Sequence, residues 1–183
     1  SGNNCLTQSL PVTFIPASGP YVVYSHHSVD DGVGGNNNGL PDYNEVIRLE
    51  MAMRNVGLEP ASNLVVTVTT DNPYITLGDH TFEIPQLPAG DTIAVINALE
   101  LTIAHGIPNQ QVVSFQMITS DENNSWSSGF NLVVQAPQFQ FGNFSINDAA
   151  GNNNGMPDAG ENLQFIARIS NTGSSTASMD LQL

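Results

Sequence analysis

Two stretches of the chain carry oxygen donors at a spacing that could hold a cation. Residues 35–57 read GNNNGLPDYNEVIRLEMAMRNVG, and residues 151–173 read GNNNGMPDAGENLQFIARISNTG. If Glu45 is the twelfth position of a calcium loop, Asn36 is the third, Asn38 the fifth and Gly39 the sixth. Leu40 then offers its backbone carbonyl at the seventh position, and Asp42 is the ninth. The second stretch places Asn152, Asn154, Met156, Asp158 and Glu161 in the same roles. The first position departs from the pattern, being Gly34 in one loop and Ala150 in the other. Asp31 and Asp148, two or three residues earlier, are the carboxylates that can fold in to supply it. Calcium takes roughly six to eight hard oxygen donors, and Asn amides dilute the charge that carboxylates alone would concentrate. Magnesium prefers water and strict octahedral geometry, and zinc prefers His or Cys, which the loops lack. The plain alternative is an Asn-Gly turn, because both residues tolerate left-handed backbone. Recurrence of both carboxylates at the same offsets favours calcium, in a structural role that fixes each loop and stiffens the junction between modules.

These loops belong to an internal repeat with an offset of 116 residues, in which 10 of 23 positions are identical. The identities include Pro41/Pro157, Asn55/Asn171 and Gly57/Gly173 as well as the loop residues. The elements around the loops read as strands. Ile47, Leu49, Met51 and Met53 alternate with polar or small residues, a period of two with one apolar face. Leu64–Thr70, Tyr74–Leu77 and Thr81–Ile84 continue the pattern. A long strand carries Ile93, Val95, Leu99, Leu101 and Ile103, broken at Asn97. Val113, Phe115 and Met117 mark another, and Trp126, Phe130, Leu132 and Val134 the next. Turn residues separate them at 71–73, 87–90 and 107–110, and no stretch has a helical period. The pattern predicts an all-β protein: an Ig-like antiparallel β-sandwich, one complete module plus the first strands of a second.

The same pattern sets the boundaries. Residues 1–19 are an N-terminal segment or the tail of a preceding domain, with one strand in LeuProValThrPheIle. Residues 20–136 are the complete module, and residues 137–183 a partial second one, with Pro137 at the junction. In the partial module, Phe139, Phe141, Phe144 and Ile146 mark one strand. Leu163, Phe165 and Ile169 mark the next, and Ala177, Met179, Leu181 and Leu183 another. So few strands cannot close a sandwich. The expectation is a fragment of a longer protein whose orphan strands pair with the first module, or with a strand-swapped copy.

Composition narrows the function. Seventeen acids face three cations, all arginine, for a net charge of −14. Such a chain does not bind nucleic acid, and anionic membrane surfaces repel it. Seven of the 17 acids (Asp30, Asp31, Asp42, Glu45, Asp148, Asp158 and Glu161) lie in or beside the two loops, which ties the acidity to cation sites. A hydrophobic share of 40% supports a real core. No apolar run is long enough to insert in a membrane. A single cysteine, Cys5, excludes an internal disulfide framework. No nucleophile, base and orienting group converge in the sequence, so the chain reads as non-enzymatic. Asp42 with Glu45 is better read as a ligand pair than as glycosidase carboxylates. His26 and His27 read as a strand-edge pair, His105 as a turn residue, and Trp126 as core rather than a sugar-stacking platform. Asp91-Thr92-Ile93 also fits an O-glycosylation acceptor of exported Bacteroidetes proteins, although a strand start explains it equally.

The order of these motifs resembles a known family. Tyr21–Tyr24, AspAspGly, GlyAsnAsnAsnGlyLeuProAsp with Glu45, ArgAsnValGly, AspAsnProTyrIleThr, SerTrpSerSerGlyPhe and GlnAlaPro occur in sequence. Together they resemble the Ig-like accessory modules downstream of the catalytic domain in gingipain-type secreted cysteine proteases and related surface proteins of Bacteroidetes. The resemblance covers roughly residues 20–183. It implies export, a location that is secreted or at the bacterial cell surface, calcium in the loops, and a non-catalytic role. That role is to space, stabilise or present a neighbouring catalytic domain, with adhesion to a protein partner as a further one. The catalytic residues of those proteases lie in a domain this chain does not contain. The alternative is a carbohydrate-binding module of a cell-surface glycan-degrading protein, which needs two or three exposed aromatics.

Overall fold

Strict alternation on β2 (Val46–Asn55) sends Ile47, Leu49, Met51 and Met53 to one side, where all four are fully buried. β2 sits between β1 (Val22–Gly34) and β6 (Thr92–Ile103), and β6 also pairs with the short β4 (Ile75–Leu77). The facing sheet has the order β5-β3-β7-β8, from β3 (Ala61–Thr69), β5 (Thr81–Leu87), β7 (Gln111–Ser120) and β8 (Ser125–Val134). Every ladder is antiparallel. The computed structural model describes residues 18–177, which form an all-β, Ig-like sandwich followed by a hairpin. Val66, Val68, Val113, Met117, Leu132 and Val134 supply the core face of the second sheet. Met51 on β2 and Met117 on β7 are both fully buried. In antibody domains a disulfide joins the two sheets; here apolar packing does so, with hydrogen bonds from Asn55 to Leu87 O and from Tyr24 N to Ser128 Oγ.

The strands explain their own irregularities. The break expected at Asn97 is a β-bulge: Asn97 has φ 53°, and the register slips between Leu49 and Met51 on the opposing strand. β5 runs on past Ile84, through Pro85 to Leu87. It can do so because β5 is an edge strand, where a residue without an N–H loses nothing. The first strand has no clean period of two, because its register shifts between Tyr24 and His26 and again between Asp30 and Gly34. His26 and His27 lie on this edge strand, opposite Ala52 and Met51, and His105 lies in a turn.

The repeat has a structural cause beyond the loops. Asn55, fully buried, accepts from Tyr21 N and Gly57 N through its Oδ1 and donates from Nδ2 to Glu59 O and Leu87 O. Asn171 does the same with Gln138 N, Gly173 N and Ser175 O. Gly57 is required because a Cβ there would lie 2.3 Å from Gly19 O, and one on Gly173 would lie 2.3 Å from Ala136 O. This Asn-x-Gly bracket ties the end of the second strand of each module to the start of its first.

β8 ends at Val134, and Pro137 lies in the connection that follows it. β9 (Phe139–Asn147) and β10 (Gln164–Asn171) form a two-stranded sheet of their own. The expected pairing with the first module is not observed: among the described residues, β9 and β10 pair only with each other. The reason is geometric. The connection at 135–138 bonds to the first loop through Gln135 and to the Asn171 bracket through Gln138, not to a sheet edge. Phe139, Phe141, Phe144 and Phe165 are consequently exposed. The strands expected at 10–15 and from Ala177 to Leu183 fall outside the described residues, apart from Ala177, which is not in a strand.

This architecture makes two outcomes testable. Asn55→Ala leaves the buried Gly57 N and Leu87 O without partners, at about 1–3 kcal/mol each; urea denaturation should show a loss of at least that size. Burial, with His26 beside it, holds the His27 pKa below the usual histidine value. The unfolded chain therefore takes up a proton at His27 before the native one does, so stability falls as pH drops below about 6.5. The melting temperature should fall on acidification through that range, and less so in His27→Gln.

Candidate functional site

The two Asn-rich loops each join the first and second strands of a module, and they fold alike. Asn37, Gly39 and Asn44 have positive φ, as do Asn153, Gly155 and Gly160 at the same offsets. Asn and Gly are the residues that reach this region at low cost. The hydrogen bonds repeat as well. Asn36 N donates to Glu45 Oε1 at 2.9 Å, and Asn152 N to Glu161 Oε1 at 2.8 Å. The Nδ2 groups of Asn36 and Asn38 converge on Asp42 Oδ2 at 2.8 and 2.7 Å. Those of Asn152 and Asn154 converge on Asp158 Oδ2 at 2.7 and 2.8 Å. Leu40 N donates to Asn38 Oδ1, and Met156 N to Asn154 Oδ1, both at 2.7 Å. Asp42 N and Asp158 N donate to the second oxygens of Glu45 and Glu161.

The displaced first-position carboxylates do fold in. Asp31 is 2% exposed and accepts from Asn38 N at 2.8 Å and Gly39 N at 3.1 Å. Asp148 is 3% exposed and accepts from Gly155 N at 2.8 Å. The first loop has one more residue between this Asp and the Asn run, taken up in the turn where Gly35 N donates to Asp31 O. Gly35 must be bare there. A Cβ would lie 2.8 Å from Glu45 Cδ, and on Gly151 it would lie 2.6 Å from Glu161 Oε1.

The loops differ in their surroundings. Asp42 forms a parallel bridge with Gln135; Tyr43 N donates to Gln135 O and Gln135 N to Pro41 O. The first loop is thus clamped to the end of β8 and to the connection between modules. Asp42 is 2% exposed, and its Oδ1 has no hydrogen-bond partner. A buried carboxylate oxygen without a donor is costly unless a positive charge meets it. Burial also pushes the Glu45 pKa up, with Asp42 and Asp31 adding to the rise against the N–H bonds from Asn36 and Asp42. Apart from Asp148, the second loop stands largely in solvent, and the amides of Asn152 and Asn154 hold the Asp158 pKa below the usual aspartate value.

The residues of the first loop therefore fit a hard cation: three carboxylates, two amides and one unmet carboxylate oxygen. They do not form a preset acidic triad. Among the described residues no three His, Cys, Asp or Glu side chains converge as a ligand cluster, because backbone and amide N–H groups hold the carboxylates apart. Leu40 and Met156 expose their side chains, as expected of positions that would use only a carbonyl. Sequence spacing does not reveal Gln135 or Tyr43, which reach the loop through the fold; the shared Pro41 and Pro157 are its only hint.

Elsewhere, Trp126 is 9% exposed and lies in the core with Phe130, so it offers no stacking platform to a sugar. Tyr43 tilts against His105 with ring centroids 5.6 Å apart. Among the described residues no helix is long and apolar enough to cross a membrane.

No protein-family model matches the chain, and no curated protein matches it. Among solved structures, it is similar to a chain of the CsuC–CsuE chaperone–tip adhesion subunit pre-assembly complex from the archaic chaperone-usher Csu pili of Acinetobacter baumannii. The identity is 11%, the TM-score 0.26, and the match covers 75% of this chain and 87% of that one. A TM-score that low assigns neither a shared fold nor a function.

Gly35→Ala should displace the Glu45 carboxylate from its seat over residue 35. The expected result is loss of the Asn36 amide's protection from hydrogen exchange, with the exchange of β2 amides unchanged.

Proposed function

We propose that this chain is a non-catalytic, secreted Ig-like region that spaces, stabilises or presents a neighbouring catalytic domain, with loops held by calcium. The observation that carries the calcium reading is the buried, unpartnered Oδ1 of Asp42, set in a loop whose bonding pattern is repeated in the second module. Two Asn amides turn their N–H groups to Asp42 Oδ2. A half-turn of each amide would present its oxygen on that side, giving up the bonds that Oδ1 accepts from Asn38 N and Leu40 N in exchange for a calcium ion. The role is structural, because the loop connects two core strands and rests on the link to the next module.

Resemblance to the accessory modules of gingipain-type proteases supports the setting: export, the bacterial cell surface or medium, and a longer parent chain. Adhesion to a protein partner is a further role in that setting. The net charge of −14 speaks against nucleic acid and anionic membranes as partners. The carbohydrate-binding reading has less support, since the single tryptophan is buried.

Calcium at 100 times its dissociation constant should stabilise the protein by about 2.7 kcal/mol per site, and EDTA should remove the effect. Differential scanning calorimetry reads both. Asp42→Asn should abolish the larger part of the calcium shift while leaving the EDTA-treated protein as stable as before, or more so. No shift with calcium, and no bound metal by elemental analysis, would sink the calcium reading.

A further inference from the structure

The first loop does not face open solvent alone. An open cleft of about 290 Å³ lies against it, lined on one side by Asn36, Asp42 and Glu45 and on the other by Ser175 and Thr176 of the second module. Those two residues come just after the Asn171 bracket, which fixes Ser175 by the bond from Asn171 Nδ2 to Ser175 O at 2.8 Å. Ser175 is a buried polar residue in an otherwise exposed turn, and its hydroxyl has only a long contact, 3.4 Å to Thr176 O. Tyr43 OH donates to Thr176 O at 3.4 Å across the cleft. Gln110 Nε2 donates to both Gln135 Oε1 and Ser174 Oγ, and Asn109 Oδ1 accepts from Ala136 N and Ser174 N. The turn that brings Ser175 to the cleft thus takes polar hydrogen bonds from both modules.

We propose that the cation of the first loop is shared between modules, with oxygens of Ser175 and Thr176 completing a shell begun by Asn36, Asp42 and Glu45. This rests on the calcium reading above and adds its consequence. Calcium takes more oxygen donors than a short loop supplies, so a second wall of oxygens raises affinity, and occupancy locks the angle between modules. The direct contacts across the junction are few and polar, the kind that permits relative motion by default. A divalent ion bridging both walls would remove that freedom. The second loop has the same donors but, among the described residues, no such facing wall, so it binds calcium more weakly and has no effect on the junction.

The experiment uses the full chain with Cys5 replaced by Ser and spin labels at Glu83→Cys and Ser145→Cys, one in each module. Calcium binding is followed by calorimetry and the inter-label distance distribution by pulsed electron resonance, on the same samples. The expected result is two classes of site, with the tighter one lost in Asp42→Asn and retained in Asp158→Asn. The distance distribution narrows as the tighter site fills, narrows equally in Asp158→Asn, and stays broad in Asp42→Asn. Calcium bound at the first loop with an unchanged distribution, or a tighter site lost in Asp158→Asn instead, would overturn the shared site while leaving calcium binding intact. No heat of binding in any sample would overturn the calcium reading itself, and the shared site with it.

Discussion

A carboxylate taken out of water must have its charge met, and that requirement organises the first loop. Asp31 near the end of β1, and Asp42 and Glu45 in the connection to β2, are all buried. Backbone amides of residues 36, 38, 39 and 42 point inward to meet them, and these bonds force the positive φ values that only Asn and Gly adopt readily. Gly35 stays bare so that Glu45 can lie over it. One oxygen, Oδ1 of Asp42, is left over. The second loop repeats the composition and backbone path with Asp158 in solvent, so what burial adds in the first is the cost of this unmet oxygen.

The loop also connects the sandwich to the second module. β1 and β2 enter and leave it, so its shape fixes how two neighbouring core strands meet at one end of the first module. Gln135 reaches it from the end of the last strand, and Ser175 from the second module. At the other end of β2, Asn55 satisfies four backbone groups, and Asn171 repeats the device on β10. The repeat in sequence is therefore a repeat of two joints, one at each end of the second strand. The residues between them differ, because a core strand needs only apolar character on one face.

Much of the fold is legible in the sequence for physical reasons. The period of two exposes β2, β3, β7 and β8, because one face of each is buried and the other wet. Asn97 marks its own bulge through its tolerance of positive φ. Asp31 and Asp148 can be named because their loops lack a first-position carboxylate. The length of β1 is not legible, since two register shifts scramble its alternation. The extension of β5 is hidden by Pro85, whose compatibility depends on an edge position that no local pattern reports.

The sequence by itself determined the strand content, the paired loops and their donor sets, because each rests on residues close together in the chain. Local backbone preference and side-chain spacing suffice for that. Only the tertiary structure decided which donors meet. Two loops nearly identical in sequence differ in burial: Gln135 and the Ser175 turn close over the first, while Asp158 in the second stands in water. It also decided that β9 and β10 pair with each other rather than with the first module. Burial and long-range pairing arise from the packing of segments far apart in sequence, so the environment that makes one carboxylate oxygen costly, and the other cheap, exists only once the chain has folded.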